Sequence, residues 1–297
     1  MEYNKEKIKS IGEIKRTARQ SLSGRWGMAI LVCFIFTIIT SGISVVVSIT
    51  SIGDTISSFN YLQTQDVVGM NTSNGQVVSN LSSLVNFIIG GPLLFGLSTF
   101  FLNLIRNNNS KIEDLFSGFA KFGKTFLLNL LIFIFSILWA FAVFVPTLII
   151  IGIISVPAIM NLSKQNFTGN ELQDFESILP IIVGSIAIGV VIFIIASIIY
   201  GIIVYKYELA FYISIDNEDY DAMECISQSK KMMKGFKIKL FLLYLSFIGW
   251  SILSLMTICI GFLWLTPYIH TSKVAFYENL KEAYYGDEME NNELVIE

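Results

Sequence analysis

Long uncharged apolar blocks alternate with shorter polar segments along this chain of 297 residues. A helix needs about 20 apolar residues to cross a hydrocarbon core about 30 Å thick. The pattern therefore predicts an all-α, polytopic helical membrane protein with about six transmembrane helices and with amphipathic helices at the membrane interface. The predicted spans cover residues 26–52, 81–105, 125–162, 177–205, 238–258 and 261–280.

Two of these blocks allow more than one interpretation. Residues 125–162 hold 38 residues without a charge, which is long for one crossing and just enough for two. A single crossing, tilted or broken, is favoured because it keeps the lysines of residues 206–239 on the inner side. Residues 238–280 predict a hairpin with a tight turn at 259–261, and one long helix is the alternative.

Glycines and prolines inside the apolar blocks predict interruptions of the helices. Each interruption is interpreted as a kink, a close helix contact or an unwound stretch that exposes backbone carbonyls. The candidate helix breaks are Gly90, Gly91, Pro92, Pro146, Pro157 and Pro267.

The distribution of charge predicts the orientation of the chain. Nineteen of the twenty Lys and Arg residues fall on one predicted face, and Lys164 is the exception. Basic residues concentrate on the inner side of membrane proteins. The sequence thus predicts both termini inside, polar outer loops at 54–80 and 163–176, a transmembrane domain at 26–282 and a disordered acidic tail at 283–297.

Three polar segments have the spacing of surface helices. Residues 1–25 predict a basic amphipathic helix at the membrane surface with its apolar face toward lipid, and simple topogenic charge is the alternative. Residues 111–119 predict a short interfacial helix with Leu115, Phe116 and Phe119 facing lipid, and residues 216–235 a helix with acids first and lysines last. The candidate contacts to anionic lipid or to a membrane partner protein are Arg16, Arg19, Arg25, Lys230, Lys231, Lys234 and Lys237.

Composition and motifs argue against catalysis. The chain is 54% hydrophobic and 14% charged, whereas about a quarter of residues are charged in a soluble domain. It has one histidine and three scattered cysteines, and the common hydrolase, metalloprotease and phosphate-binding motifs are missing from it. We expect no cofactor, no metal site and no nucleic-acid partner.

Titratable groups inside the bundle are also expected to be few. The predicted membrane cores are interpreted as free of Asp, Glu, Lys and Arg, which argues against a proton-coupled pump. His270 is expected to hydrogen-bond its helix neighbours rather than to bind an ion. Asn86, Asn103 and Asn129 are expected to form hydrogen bonds between helices.

Several motifs carry a family resemblance. The stretches IKRTARQSLSGRWGMAI, GGPLLFGLSTFFLNLIR, CISQSKKMMKGFKIKLFLLYLSFIGWSILS and GFLWLTPYIHTSKVAFYENL follow one another in the chain. Together they resemble the bacterial integral-membrane family called domain of unknown function 975. The resemblance implies a multi-pass protein of the bacterial cytoplasmic membrane and supplies no catalytic residues.

Three hypotheses for function follow. The leading one is a non-enzymatic membrane protein that engages anionic lipid or a membrane partner protein through its helix bundle and basic inner rim. The alternative is a transporter or channel-like protein for a neutral or lipid-like solute, with a site beside the helix breaks at Gly90, Gly91, Pro92 and Pro146. A membrane-embedded enzyme acting on lipid is the least favoured, because the spans offer few titratable groups.

Overall fold

The structure is a computed structural model that describes the backbone of residues 8–42, 73–164 and 171–294. Within these ranges the side chains of residues 73–82, 157–159, 161–164, 171–178, 181–182 and 286–294 are not described. The described backbone contains helices and no strand, which confirms the predicted all-α class. Part of the first predicted span and most of the loop at 54–80 lie outside the described residues.

Eleven α-helices are defined in these ranges. They are α1 (Ile11–Leu22), α2 (Trp26–Gly42), α3 (Ser73–Ile105), α4 (Ser117–Ala120), α5 (Phe122–Lys164), α6 (Glu171–Val204), α7 (Ala210–Asp216), α8 (Ala222–Met232), α9 (Lys237–Leu245), α10 (Ile248–Met256) and α11 (Phe262–Leu294). Two 3₁₀ turns, Ile112–Phe116 and Tyr205–Tyr207, precede α4 and α7.

Capping boxes fix where the two polar helices begin. The backbone N–H of Ser10 donates to the Glu13 carboxylate at 2.6 Å, and the Glu13 N–H donates to the Ser10 hydroxyl at 3.3 Å. Asp221 and Glu224 form the same reciprocal pair before α8. Each pair satisfies backbone donors that a helix start otherwise leaves unbonded.

Four helical segments in the described part of the chain are long and apolar enough to cross a membrane: Ser83–Ile105, Phe122–Val156, Val183–Asp216 and Lys237–Met256. A fifth is possible if α1 and α2, which meet at an angle of 97°, count as one span. Four or five is fewer than the six predicted. The predicted span at 26–52 is counted only if α1 and α2 form one span, and the predicted span at 261–280 is not counted, because α11 carries His270, Lys273 and Glu278 and is less apolar.

The candidate helix breaks need correction. The backbone is helical through Gly90, Gly91 and Pro92 in α3, through Pro146 and Pro157 in α5, and through Pro267 in α11. The side chain of Pro157 lies outside the described residues.

The described part of α5 is therefore one unbroken helix of 43 residues, about 65 Å long at 1.5 Å per residue. The tail also differs from the prediction of disorder, because α11 continues to Leu294.

The last apolar block forms two helical arms joined by a tight turn, as the hairpin interpretation has it. Ile258 and Cys259 adopt positive φ angles of 53° and 64° between α10 and α11. The backbone of Gly261 lies against Ser254, and the Phe247 ring packs edge-on against Tyr268 at 5.1 Å. Phe247 pairs with Tyr268 and the later Ser254 pairs with the earlier Gly261, so the two arms are antiparallel.

The chain divides into two compact units. Unit 1 comprises Met1–Leu131 and Tyr207–Glu297, and unit 2 comprises Ile132–Lys206. Unit 1 has a core of fully buried aromatic side chains from α3, α7 and α11. They include Phe100, Phe101, Tyr212, Phe276 and Tyr277.

Unit 2 is an antiparallel pair formed by α5 and α6. The Tyr200 hydroxyl donates to the Ser136 carbonyl at 3.3 Å, and the Phe144 ring contacts those of Phe193 and Tyr200, each at 5.4 Å. Most of the other apolar side chains on these helices point outward. Gly189 of α6 makes an ordinary contact with α5, because a Cβ there would lie 3.6 Å from the Ile151 side chain.

Candidate functional site

The N-terminal basic helix packs on protein rather than lying alone on the membrane. Ile14, Ala18 and Leu22 are almost completely buried, and α1 contacts α11, α3 and α9. The prediction that its apolar face turns to lipid is therefore wrong. Arg16 and Arg19 occupy the exposed side of the helix.

Arg25 lies in the turn between α1 and α2. Its guanidinium Nη1 donates to the Leu104 carbonyl at 3.4 Å. One of the candidate lipid contacts thus ties the turn to the last residues of α3.

The second predicted cluster of cations surrounds the junction of α8 and α9. Lys230 and Lys231 lie in the last turn of α8, Lys234 follows it, and Lys237 begins α9. Gly235 between the two helices has a φ of 90°, which a residue with a Cβ rarely adopts. The opposite side of α8 is buried, so these lysines stand on its outer side.

The fold brings the two basic segments together. The Lys239 ammonium donates to the Lys9 carbonyl, and α9 contacts α1. The Lys15 ammonium donates to the Ser246 hydroxyl at 3.2 Å. We call the cations of α1 and of the α8–α9 junction the basic face; they are Lys9, Lys15, Arg16, Arg19, Lys230, Lys231, Lys234, Lys237 and Lys239.

A buried set of ion pairs lies inside unit 1, and sequence analysis did not predict it. Arg106 Nη1 and Nη2 donate to the two carboxylate oxygens of Asp216 at 2.8 and 2.9 Å. Arg106 Nη2 also donates to Glu278 at 2.6 Å. Lys281 and the Tyr277 hydroxyl donate to Asp216 at 2.6 and 2.7 Å.

A second ion pair also involves a residue of α11. The Lys273 ammonium donates to the Glu208 carboxylate at 2.7 Å, and the Tyr244 hydroxyl donates to it at 3.2 Å. The Tyr212 and Tyr277 rings, stacked at 5.2 Å, lie between this pair and Asp216. We call the two sets together the ion-pair network.

The network corrects the expectation that the predicted membrane cores hold no Asp, Glu, Lys or Arg, because Lys273 and Glu278 lie in the predicted span 261–280. The candidate span Val183–Asp216 of the structure also contains Glu208 and Asp216, and both carboxylates are paired with cations. The network is a cross-link between helices, because α7, α9, α11 and the residue that follows α3 each supply a partner.

Electrostatics within the network favour the charged form of its arginine. Burial alone lowers the pKa of Arg106, but the hydrogen bonds that it donates to Asp216 and the charges of Glu278 and Asp216 raise this pKa above its usual range. The guanidinium is therefore a permanent cation at this site.

A sequence signal for the network existed in α11. Lys273, Tyr277 and Lys281 recur at intervals of four, which places them on one side of a helix. Their partners Glu208 and Asp216 are 61 to 65 residues distant in sequence, so the pairing itself was not predictable.

The remaining predicted groups have structural contacts. The His270 ring stacks on Phe101 at 5.4 Å with an interplanar angle of 9°. Asn129 donates across helices to the Phe87 carbonyl at 3.4 Å, and Asn103 donates to Asp114 at 3.0 Å. The part of the chain that the structure describes contains no group of His, Cys, Asp and Glu able to hold a metal ion.

Glycines in α3 allow close packing. A close helix contact was one of the interpretations of the segment around Gly91 and Pro92. A Cβ on Gly91 would lie 2.8 Å from the Thr125 carbonyl oxygen and 2.9 Å from Asn129 Cβ. A Cβ on Gly96 would collide with the backbone of Leu115, and one on Gly118 with that of Pro92. The segment after α3 therefore folds back along this helix.

That segment was predicted to be an interfacial helix with Leu115, Phe116 and Phe119 facing lipid. Leu115 is fully buried, so the prediction is wrong for this residue. Phe116 and Phe119 are exposed and contact each other at 6.3 Å between ring centroids.

These observations define an all-α protein whose long apolar helices are those of a membrane protein. The family model described as "Protein of unknown function (DUF975)" matches residues 7–284, and the chain belongs to this family. No curated protein and no solved structure matches the chain.

Proposed function

We propose that this chain is a non-enzymatic multi-pass protein of the bacterial cytoplasmic membrane that engages anionic lipid through its basic face. The observation that carries the proposal is the contact between α1 and α9. It joins two basic segments that are more than 200 residues apart in the sequence. The proposed orientation places this face and both termini on the inner side of the membrane.

The apolar parts of the surface support a location in lipid. Large apolar side chains of α5, α6, α9 and α10 are exposed, for example Phe141 at 64% and Ile252 at 56%. Exposed apolar surface of this extent is costly in water and marks a membrane or protein interface. Cations beside such a surface attract anionic headgroups, each contributing about 1 kcal/mol near the membrane.

The other hypotheses have less support. The transporter hypothesis relied on unwound backbone near Gly90, Gly91 and Pro92, where α3 is helical. A membrane protein partner at the basic face is compatible with the same charges, and it is an outcome of the test below.

The test removes four positive charges from the α8–α9 junction. In the variant K230Q/K231Q/K234Q/K237Q, we expect purified protein in detergent to retain fewer anionic phospholipids than the natural chain. Native mass spectrometry counts bound phosphatidylglycerol and phosphatidylcholine. The charge-preserving variant K230R/K231R/K234R/K237R is the matched control, and we expect it to bind as the natural chain does.

Two results bear against the proposal. Equal phosphatidylglycerol binding by the glutamine and arginine variants would contradict a role of these lysines in lipid binding. The second is a protein that co-purifies from the native membrane with the arginine variant but not with the glutamine variant, while bound lipid is the same in both. That result would show that the basic face binds a partner protein instead of lipid.

A further inference from the structure

A cavity of about 630 Å³ lies in unit 1 between α1, the start of α2 and the hairpin of α10 and α11. Its volume is within the range of sites that hold small molecules, which is about 300 to 1,000 Å³. The cavity is lined by Gly12, Lys15, Arg19, Trp26, Trp250, Leu253, Ser254, Thr257, Gly261, Trp264, Leu265 and Tyr268.

The two charged residues among these lining residues are both cations from α1. The Lys15 ammonium lies 4.2 Å from the centre of the Phe247 ring, and the Tyr268 hydroxyl donates to the Lys15 carbonyl at 3.3 Å. Arg19 interacts with the same tyrosine. This end of the cavity therefore carries a local positive charge on side chains held in place by aromatic neighbours.

The other end lies at the turn between α10 and α11, and it is formed by Ser254, Thr257 and Gly261. Their polar atoms are used within the turn, because the Ser254 hydroxyl donates to the Trp250 carbonyl at 2.8 Å and the Thr257 hydroxyl to the Ser254 carbonyl at 2.9 Å. This end thus offers an apolar surface. Tyr268 lies seven positions after Gly261, a distance of about 10 Å along the helix.

The walls between the two ends are aromatic and open toward an apolar surface. Three of the four tryptophans in the chain line the cavity. Trp250 and Trp264 are 58% and 51% exposed, and the adjacent turn presents Met256 and Ile258 at 78% and 87% exposure. A membrane-spanning helix places such side chains in lipid.

We propose that this cavity holds one anionic phospholipid, with its phosphate between Lys15 and Arg19 and an acyl chain along the tryptophan wall toward the turn. The inference rests on the proposed function and deepens it by naming a site and a lipid class. Charge complementarity favours an anionic occupant, because Lys15 and Arg19 repel the quaternary ammonium of a zwitterionic lipid, and a free phosphate makes no use of the apolar wall. Arg and Lys are the side chains that bind phosphate most strongly.

The test uses fluorescence of the cavity tryptophans. The substitution Trp139→Phe leaves only Trp26, Trp250 and Trp264, all of which line the cavity. Phosphatidylglycerol with brominated acyl chains, which quench tryptophan on contact, is titrated into this variant in detergent. Brominated phosphatidylcholine is titrated in parallel. We expect phosphatidylglycerol to reach half-maximal quenching at a concentration at least about tenfold lower, the effect of one charged hydrogen bond.

Two further variants locate the site. Arg19→Gln removes one phosphate contact, and we expect the phosphatidylglycerol concentration for half-quenching to rise about tenfold. Thr257→Phe narrows the apolar end and leaves both cations in place, and we expect it to reduce the maximal quenching. Lys111→Gln is the matched control, since Lys111 is an exposed cation of unit 1 that neither lines the cavity nor belongs to the basic face; we expect it to behave as its parent.

Each outcome decides the inference. Equal quenching by the two lipids, or unchanged quenching in both Arg19→Gln and Thr257→Phe, would overturn it. Displacement of the brominated lipid by inorganic phosphate as effective as displacement by unlabelled phosphatidylglycerol would also overturn it, in favour of a free-anion site.

The four-lysine variant K230Q/K231Q/K234Q/K237Q separates this inference from the proposed function. If it loses bound lipid while the cavity variants do not, the basic face binds lipid without the cavity. If only the cavity variants lose quenching, the lipid site in the cavity is supported and the proposed lipid binding by the α8–α9 lysines is contradicted.

Discussion

Units 1 and 2 are both built from apolar helices, but they bury them to very different extents. In α3 of unit 1, 56% of the residues in the apolar window are buried inside the protein, whereas the corresponding fraction is 6% for the windows of α5 and α6. Unit 1 therefore has an interior with close contacts and ion pairs. The side chains of unit 2 have few protein neighbours, so lipid must supply most of their contacts.

This difference shows that hydropathy alone does not tell a lipid-facing helix from a buried one. The apolar windows of α3 and of Lys237–Met256 have the same mean hydropathy of 1.8, yet 56% of the first and 22% of the second are buried. In α3 other segments approach closely at Gly91 and Gly96, whereas a Cβ on Gly249 in the second segment would meet nothing within 4 Å.

The largest expected effect comes from a matched pair of glycine substitutions. A Cβ on Gly96 meets the backbone of Leu115, which cannot move as a flexible side chain does, whereas a Cβ on Gly184 in α6 meets nothing within 4 Å. We expect Gly96→Ala to destabilise the protein by about 3 kcal/mol or more, in the range of overpacked cores. Gly184→Ala should leave stability unchanged or raise it by up to about 1 kcal/mol, the gain in helix propensity.

Thermal unfolding in detergent, with circular dichroism as the readout, measures both variants. If Gly96→Ala unfolds at the same temperature as the natural chain, the close contact between α3 and the segment after it is not a feature of the folded protein.

The next largest effect is expected in the ion-pair network. Asp216→Asn removes the charge that faces Arg106 and Lys281, and the Asp216 side chain is only 6% exposed. Breaking a fully buried ion pair on one side costs about 3 to 5 kcal/mol, and we expect a smaller loss here because the side chains of Arg106 and Lys281 are 28% and 34% exposed. We expect the unfolding temperature to fall clearly, and the double variant with Arg106→Met to recover part of the loss. A double variant less stable than the single one would contradict mutual compensation.

A smaller effect is expected at a polar contact of unit 2. The Lys206 ammonium lies 3.9 Å from the centre of the Trp139 ring, within the distance of a cation–π contact. Lys206→Met keeps the length of the side chain and removes this contact, and we expect a loss of about 1 kcal/mol. An unfolding shift as large as that of Asp216→Asn would show that unit 2 also depends on an ionic contact.

The smallest effect is expected two residues beyond Asp216. Glu218 pairs with Lys121 at 2.8 Å, but its side chain is 72% exposed. The hydrogen bond from Lys121 and the charge of Lys121 lower the pKa of Glu218, so this pair weakens as the pH falls through that lowered pKa. Glu218→Gln should shift the unfolding temperature by no more than the error of the measurement, because solvent screens exposed pairs. A shift comparable to that of Asp216→Asn would remove the distinction between buried and exposed pairs.

The sequence predicted the class of fold well because helix formation is a local property. Uncharged blocks of sufficient length indicate helices wherever they occur, and acids before α8 with lysines after it indicate its direction. The pattern did not reveal what covers a helix. Ile14, Ala18 and Leu22 recur at intervals of four, which is the same spacing for a helix lying on lipid and for one packed on α11.

The continuity of α3 through Pro92 and the ion pairs depend on tertiary contacts, which explains why they were not predicted. Pro92 removes one backbone hydrogen bond from α3, yet the neighbouring segment packs against the same turn through Gly118 and Asn129. Arg106 meets Asp216 and Glu278 only after α3, α7 and α11 have come together. Sequence spacing carries no information about such distant partners.

The contrast between the two units is tested most directly by spin labels in the reconstituted protein. Labels are attached to single cysteines at Phe141 and Ile195 in unit 2 and at Arg16 and Lys234 on the basic face of unit 1. Cys259, the exposed native cysteine, is first replaced by serine. Electron paramagnetic resonance then compares relaxation by oxygen, which concentrates in lipid, with relaxation by a water-soluble nickel complex.

We predict that oxygen dominates at Phe141 and Ile195 and that the nickel complex dominates at Arg16 and Lys234. Access of the nickel complex to both unit 2 positions would contradict the account, because it would place in water the helices whose apolar surface lipid is expected to cover.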